Sequence, residues 1–426
     1  MRSRLVPAIA LTLFANCPAA AAAPDQPIFR TSAMIVTGEI DKDGSAWFKT
    51  WDDDARFVLD KGDASGAEEL FQLLWKSREN ARSVDVRFDA SAVRLNPATL
   101  TLDFPICSVS MEETSFVSAR KCGAGKVDTR KIASSPLLAV AFGWAEVRGG
   151  SKQAAREFLD QAVRSKQLPS ALESIALRAR AESNDEIGYD EEVATNRADL
   201  AFAAALADYA RLAELHPENV EFRFSQAFDL EQLGDFAGAE RMYDAILKQW
   251  PDEKYRVTVR KAAVARITGQ LDRSLELLNG LAAELGPDLG MKFYYHRGWT
   301  LTRLGRFDEA IADFTEGFKS QSDYPWAYMR RGCAYASVGQ LNYAIGDFET
   351  ATGMMEKLPQ AGDSTQVQHD LKVAKQAVAM FKRAQAAAED QRLSGVCEGF
   401  WRADETARKP SPLLPPARDQ VERPKG

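Results

Sequence analysis

"FYYHRGWTLTRLGRFDEAIADFTEGF", residues 293–318, decides the fold. Its marked positions return 34 residues later: Gly298, Gly305, Ala310 and Phe314 are followed by Gly332, Gly339, Ala344 and Phe348. A fixed period of this length marks a repeat architecture and outranks other fold signals. Each copy reads as two helices, and Gly305 turns the chain between them because glycine enters the left-handed region at low cost. Small residues at Gly298, Ala310 and Gly317 let the helix axes approach each other. Phe314 and Phe318 stand four apart and share a face. One partner helix cannot cover that face, so the next copy must, and stacking is written into the pattern.

Working outward, the turn glycines recur at Gly234, Gly269, Gly305 and Gly339, in steps of 35, 36 and 34 residues. Ala239 and Tyr243 fill the first copy, and Ser274 and Leu278 a degenerate second one. The order of small residue, glycine, alanine, aromatic and small residue resembles the tetratricopeptide repeat. The resemblance implies an α-solenoid over 220–357 whose first helices line a concave groove. The family's groove positions fall here on Phe224, Phe228, Arg256, Arg266, Tyr295, Trp299, Arg303, Trp326 and Met329, with Glu231, Val259 and Cys333 beside them. Aromatic contact area with arginines suits an extended protein or peptide partner. The lysine and asparagine clamp that some members hold for a terminal carboxylate is absent. The competing reading is that part of this lining contacts the N-terminal β-domain or the inserted segment 183–194 instead.

The repeats have company on both sides. Residues 131–219 read as irregular repeat-like helix pairs, with Gly143, Ala155 and Leu159 in register and a polar loop at "SNDEIGYDEE" (183–192). Residues 358–395 hold one long helix with Val367, Leu371, Ala374, Val378 and Phe381 on one side, a terminal cap for the last apolar face. Residues 396–426 are charged and proline-rich and are expected to be disordered. Residues 28–130 are different in kind: three strands, an amphipathic helix with Ala67, Leu70, Phe71, Leu74 and Trp75 on one face, then two strands. That order resembles the small OB-fold barrel, with a β-sandwich or SH3-like barrel as competitor. The expected class is therefore α+β, mainly α: a small N-terminal β-barrel, a solenoid, a capping helix and a tail.

Residues 1–22 read as a cleaved signal peptide, with Arg2 and Arg4 before the apolar run "LVPAIALTLFA" and small residues after it. Cys17 lacks a good lipoprotein context. The mature chain is expected in the periplasm or outside the cell, with no integral membrane segment. In an oxidising compartment Cys107 and Cys122 are the expected disulfide, while Cys333 is either a buried thiol or bridged to Cys397.

The 426 residues are 45% hydrophobic and carry a formal charge of −7, which becomes −9 once Arg2 and Arg4 are lost with the leader. Nucleic acid needs a basic surface and is not the expected partner. The three histidines, His216, His296 and His369, share no metal-ligand spacing. "GAGK" (123–126) lacks the rest of a phosphate loop, and no other catalytic or cofactor motif occurs. No enzyme activity, cofactor or metal is expected. The sequence reads as an envelope scaffold that holds a protein or peptide partner in its groove. The rival is a carbohydrate-binding or enzyme-accessory protein acting through the β-domain, where Trp47, Phe48 and Trp51 could offer a stacking face.

Overall fold

The computed structural model describes residues 28–33, 35–40, 45–50, 54–59, 67–79, 83–111, 114–117, 122, 129–165, 168–194, 198–286, 288–358, 365–386 and 411. The leader, Trp51, the "GAGK" turn and the tail apart from Ser411 lie outside them. The chain is mostly helical with an N-terminal sheet, and it divides into two compact units, Met1–Ala176 and Leu177–Gly426.

The first unit is built on strands β1 (Ile28–Ala33), β2 (Ile35–Ile40), β3 (Ala46–Thr50), β4 (Ala55–Leu59), β5 (Val84–Asp89), β6 (Arg94–Leu95), β7 (Leu102–Met111) and β8 (Thr114–Val117). The hydrogen-bonded order is β1-β5-β7-β4-β3-β2, with β6 and β8 also on β7, and β4 runs parallel to β7. The stretch 32–40, expected as one strand, is divided: β1 pairs with β5 while β2 pairs with β3. Helix α1 (Ala67–Glu79) buries Leu70, Leu73 and Leu74 but leaves Trp75 61% exposed, so the apolar stripe is narrower than expected. Phe48 belongs to the core, and half-buried Trp47 lies under the Arg56 guanidinium, so the expected stacking face is not presented by these two rings. Cys107 and Cys122 are joined by a disulfide with their Cα atoms 5.7 Å apart.

This unit does not end at residue 130. After the short α2 (Thr129–Ser134), helix α3 (Pro136–Gly149) places Trp144 against Phe104 at 5.0 Å and Phe142 against Phe29 at 5.7 Å. Its other side meets α4 (Lys152–Arg164), where Gly143 lies so close to Leu159 that an added Cβ would be 2.4 Å from it. A helix covered on both sides has no polar face, which explains why Ala139 through Val147 are all buried. The repeat slots of this pair are real, but one side is satisfied by a sheet instead of another repeat.

The polar run 183–192, expected as a loop, is helical within α5 (Ser170–Ala194). Ser183 and Asn184 are buried, and Gly188 sits under the Phe202 ring of α6 (Asp199–Leu215), where a Cβ would come within 2.7 Å. Arg180 clasps Asp208 with two hydrogen bonds of 2.8 and 2.6 Å, and the Tyr209 hydroxyl donates to Asp185. Polar side chains with partners on the neighbouring helix do not need a loop.

The regular pairs follow: α7 (Val220–Gln232) with α8 (Phe236–Gln249), α9 (Lys254–Ile267) with α10 (Leu271–Leu285), α11 (Gly290–Arg303) with α12 (Phe307–Gly317), and α13 (Pro325–Ser337) with α14 (Leu341–Met355). The turn glycines 234, 269, 305 and 339 all take φ between 73° and 80°. Gly298 meets the Phe314 ring, and Gly332 the Phe348 ring, at distances that leave no room for a Cβ to enter freely (3.0 and 2.8 Å). Ser274 fills the alanine slot of the degenerate pair by donating to the Ala262 carbonyl at 2.8 Å, with Thr300 Oγ1 2.9 Å away. Arg297–Asp313 and Arg331–Asp347 repeat the same bidentate pairing one period apart. Helix α15 (Thr365–Ala386) covers α14 with Val367, Ala374, Ala377 and Phe381, which is the capping role expected of it.

Ala310 is fully buried at the crossing of α11 and α12. Replacing it, Ala310→Leu, should overpack that crossing and cost about 1–3 kcal/mol. Urea unfolding followed by circular dichroism measures this. A midpoint equal to wild type contradicts the packing described.

Candidate functional site

The first helices of successive pairs touch directly, α9 with α11 and α11 with α13, whereas the second helices are farther apart. The stack therefore curls with its first helices inside, and the expected groove residues lie on those helices. Between α5, α7, α9 and α11 lies an open cavity of about 270 Å³. Arg256 forms its rim, bidentate to Glu221 at 2.6 and 2.8 Å, with its guanidinium 4.0 Å above the Phe224 ring. One turn deeper, Arg260 pairs with Glu231 and lies over Phe228. Glu231 also accepts from the Tyr243 hydroxyl at 2.6 Å. Each expected aromatic in this part of the lining thus carries an arginine that is itself held by a glutamate.

Lys292 lines the same cavity and makes no ion pair among the described residues. Burial, Arg260 and Arg256 all push its ammonium pKa down. An anion arriving there would relieve that repulsion. The back of the cavity is acidic: Asp185 of α5 faces Asp229 of α7, which is 0% exposed. Both Asp229 oxygens and Asp185 Oδ1 find no donor while the two are ionised. Burial raises both; Asp185 raises Asp229 further, whereas hydrogen bonds with Asp229 and Tyr209 hold Asp185 lower, and the pair titrates with apparent values of about 6 and about 10. At neutral pH a proton on Asp229 supplies the missing hydrogen bond to Asp185.

Farther along, Trp299 of α11 is sandwiched between two guanidinium groups. Arg266 of α9 and Arg330 of α13 each place Cζ 3.4 Å from the ring centroid. Both arginines are buried, at 2% and 6% exposure. His296, one turn before Thr300, is buried beside them, and burial followed by Arg266, Arg260, Lys292 and Arg330 holds its pKa well below the usual imidazole range. It is therefore neutral at pH 7. Its contribution to stability is present above the ordinary imidazole pKa and is lost as pH falls through its lowered value.

Placed one by one, Phe228, Arg256, Trp299 and Trp326 are half-buried and Arg303 is exposed. Phe224 and Tyr295 are buried, and Met329 lies in the core under α14 and α15. Trp326 donates its indole N–H to Asp370 of α15 at 3.0 Å, so the cap holds it. Tyr189 of α5 packs on Phe228 with the rings tilted, at 6.1 Å between centroids, so the segment 183–194 does cover the start of the lining. Cys333 is disulfide-bonded, which excludes the buried-thiol reading; its partner is outside the described residues. Among the described residues no cluster of ligating side chains could hold a metal ion, and no helix is long and apolar enough to cross a membrane.

Sequence reasoning passed over Arg260, Lys292, His296 and Arg330, although the period contains them. Arg260, His296 and Arg330 each precede their turn glycine by nine residues, and Glu221, Arg256, Lys292 and Trp326 by thirteen. Asp185 carried no such signal, because it comes from the helix misread as a loop.

The family model for the tetratricopeptide repeat matches residues 292–324. No curated protein sequence matches the chain. Similar solved structures include a tetratricopeptide repeat protein from Parabacteroides merdae ATCC 43184, with 21% identity, covering 60% of this chain and 88% of that one, at a TM-score of 0.44. MamA from Desulfovibrio magneticus RS-1 has 17% identity, covering 42% and 97%, with a TM-score of 0.31. Yeast Tom70 has 16% identity, covering 64% and 57%, with a TM-score of 0.37.

The acidic pair makes a signed prediction. Its values lie above those of ordinary carboxyls, so its stabilisation is complete below about pH 4 and is lost as pH rises through about 6 and about 10. Asp229→Asn keeps a donor to Asp185 and cannot ionise. At pH 9 it should be more stable than wild type by about 1.4 kcal/mol or more, a tenfold change in the unfolding equilibrium. Denaturant melts from pH 5 to 9 test this, and parallel curves for the two proteins rule it out.

Proposed function

The chain carries tetratricopeptide repeats, and from that premise we propose that it is a non-enzymatic scaffold of the cell envelope. It holds a protein partner by an extended segment lying along the first helices. An acidic side chain or terminal carboxylate of that segment enters the cavity beside Lys292, with Arg256 and Arg260 behind it. The observation that carries this reading is Lys292 itself: a cation on the inner face, beside two arginines, with no ion pair among the described residues. Glu221 and Glu231 already pair with the arginines, and Lys292 is the cation of the lining without an ion pair among the described residues. Aromatic rings under the arginines supply contact area next to it. Export is supported by Arg2, Arg4 and the apolar run after them, and the Cys107–Cys122 disulfide suits an oxidising compartment.

Selection of twelve-residue peptides from a displayed random library, with the full chain as bait, should enrich aromatic sequences carrying a carboxylate. Lys292→Glu should weaken those peptides at least tenfold in calorimetric titration, about 1.4 kcal/mol, with circular dichroism unchanged. Peptides without acidic groups, or equal binding by the variant, would sink this reading. Intact-mass measurement of the protein from an envelope extract tests export, and a chain still starting at Met1 contradicts it.

A further inference from the structure

We infer that the groove already has an occupant: the chain's own C-terminal segment, residues 396–426, tethered by a Cys333–Cys397 disulfide and seated at its far end by Ser411. The inference rests on reading the first-helix surface as a ligand groove and names what fills it in the resting protein.

Two anchors, on different repeats, point to the same segment. Cys333 stands on α13, six residues before its turn glycine, the slot that holds Trp299 in the preceding repeat and Phe228 in the first. It is buried and disulfide-bonded. Of the five cysteines, Cys107 and Cys122 bond each other, leaving Cys17 and Cys397 as possible partners. Cys17 falls in the stretch that reads as a cleaved leader, so Cys397 remains. The second anchor is Ser411, which is only 7% exposed and donates its backbone N–H to the Leu233 carbonyl at 2.8 Å. Leu233 is the C-terminal cap of α7. A residue of a proline-rich tail is thus held at the first regular repeat, and Cys333 belongs to the fourth.

The length between the anchors fits. Fourteen residues separate 397 from 411 and can span at most ~46–50 Å when extended. Neighbouring packed helices lie about 8–10 Å apart, so three steps from α13 to α7 need about 24–30 Å. The segment can therefore run along the inner helices, antiparallel to the order of the repeats. Its chemistry fits as well. "EGFWRADE" (398–405) has Glu398, Asp404 and Glu405 against a single Arg402 and offers Phe400 and Trp401 to the Trp299 region, while the rest of the segment is basic.

An external partner then competes with this segment, and cutting the tether lowers the segment's effective concentration at the groove. Unreduced digestion of the full-length protein followed by mass spectrometry should yield a peptide containing Cys333 cross-linked to one containing Cys397. Alkylation of Cys333 without reduction, or a link to Cys17, overturns the tether. Hydrogen exchange on the same oxidised protein should show amides of 398–411 exchanging at least tenfold slower than a free chain. Ser411→Pro, which removes the donor, should lose part of that protection. Exchange at the free-chain rate in the wild type overturns the seating. Library-selected groove peptides should bind full-length Cys397→Ser at least tenfold more tightly than wild type; equal binding overturns the competition. These failures leave the groove reading standing, whereas a library that gives no groove peptide for either protein removes that reading while the mapped disulfide stands.

Discussion

Close approach of two helices at a residue without a side chain is the constraint on which the repeat half depends. Gly298 admits the Phe314 ring, and Gly332 the Phe348 ring, to a distance a Cβ would occupy. With the ring driven into its own pair, the remaining surface of each pair is left to its neighbour. Ala310 and Ala344 are fully buried at the same crossings, and Ser274 keeps the slot in the degenerate pair by giving its hydroxyl to a backbone carbonyl. The array ends where α15 supplies Phe381 to Phe348 at 5.6 Å between ring centroids. Without that helix the last pair would expose an apolar face to water.

The inner surface follows a different rule. It is crowded with charge, and most of that charge is compensated locally. Arg256 and Arg260 lean on aromatic faces and pair with glutamates; Arg266 and Arg330 share the two faces of one indole. A guanidinium is weakly hydrated and planar, so stacking recovers part of what burial costs. His296 and the Asp185–Asp229 pair escape the cost another way, by staying uncharged or sharing a proton. Lys292 has neither an aromatic face nor an ion pair among the described residues, and burial with Arg260 and Arg256 lowers its pKa.

The repeat fold was legible because its slots demand particular residues at particular spacings. Glycine at 234, 269, 305 and 339 is required by positive φ, and the structure has it there. The β-unit was less legible, because strands β1 and β2 are separated by a single residue yet go to opposite ends of the sheet path, and alternation along 32–40 cannot reveal that. Helix α5 was misread because composition stood in for partners: Arg180, Asp185 and Gly188 are polar or small in sequence but have Asp208, Tyr209 and Phe202 waiting on α6. The groove was half legible. Family slots found the aromatics and Arg256, while the column of Arg260, His296 and Arg330 lies one position away from those slots.

The family model reaches only 292–324 although four regular pairs form. A repeat folds if its small and aromatic slots are filled well enough, and a serine with a hydroxyl partner is enough at 274. Other first-helix positions vary more freely than these slots. In this chain they diverge most: Ser225, Arg260, His296 and Arg330 occupy one equivalent position in four successive pairs, and Glu221, Arg256, Lys292 and Trp326 occupy another. The first column runs neutral, cationic, neutral, cationic and the second anionic, cationic, cationic, neutral, while the turn glycines repeat. A ligand running along such a surface would meet a different residue at each step.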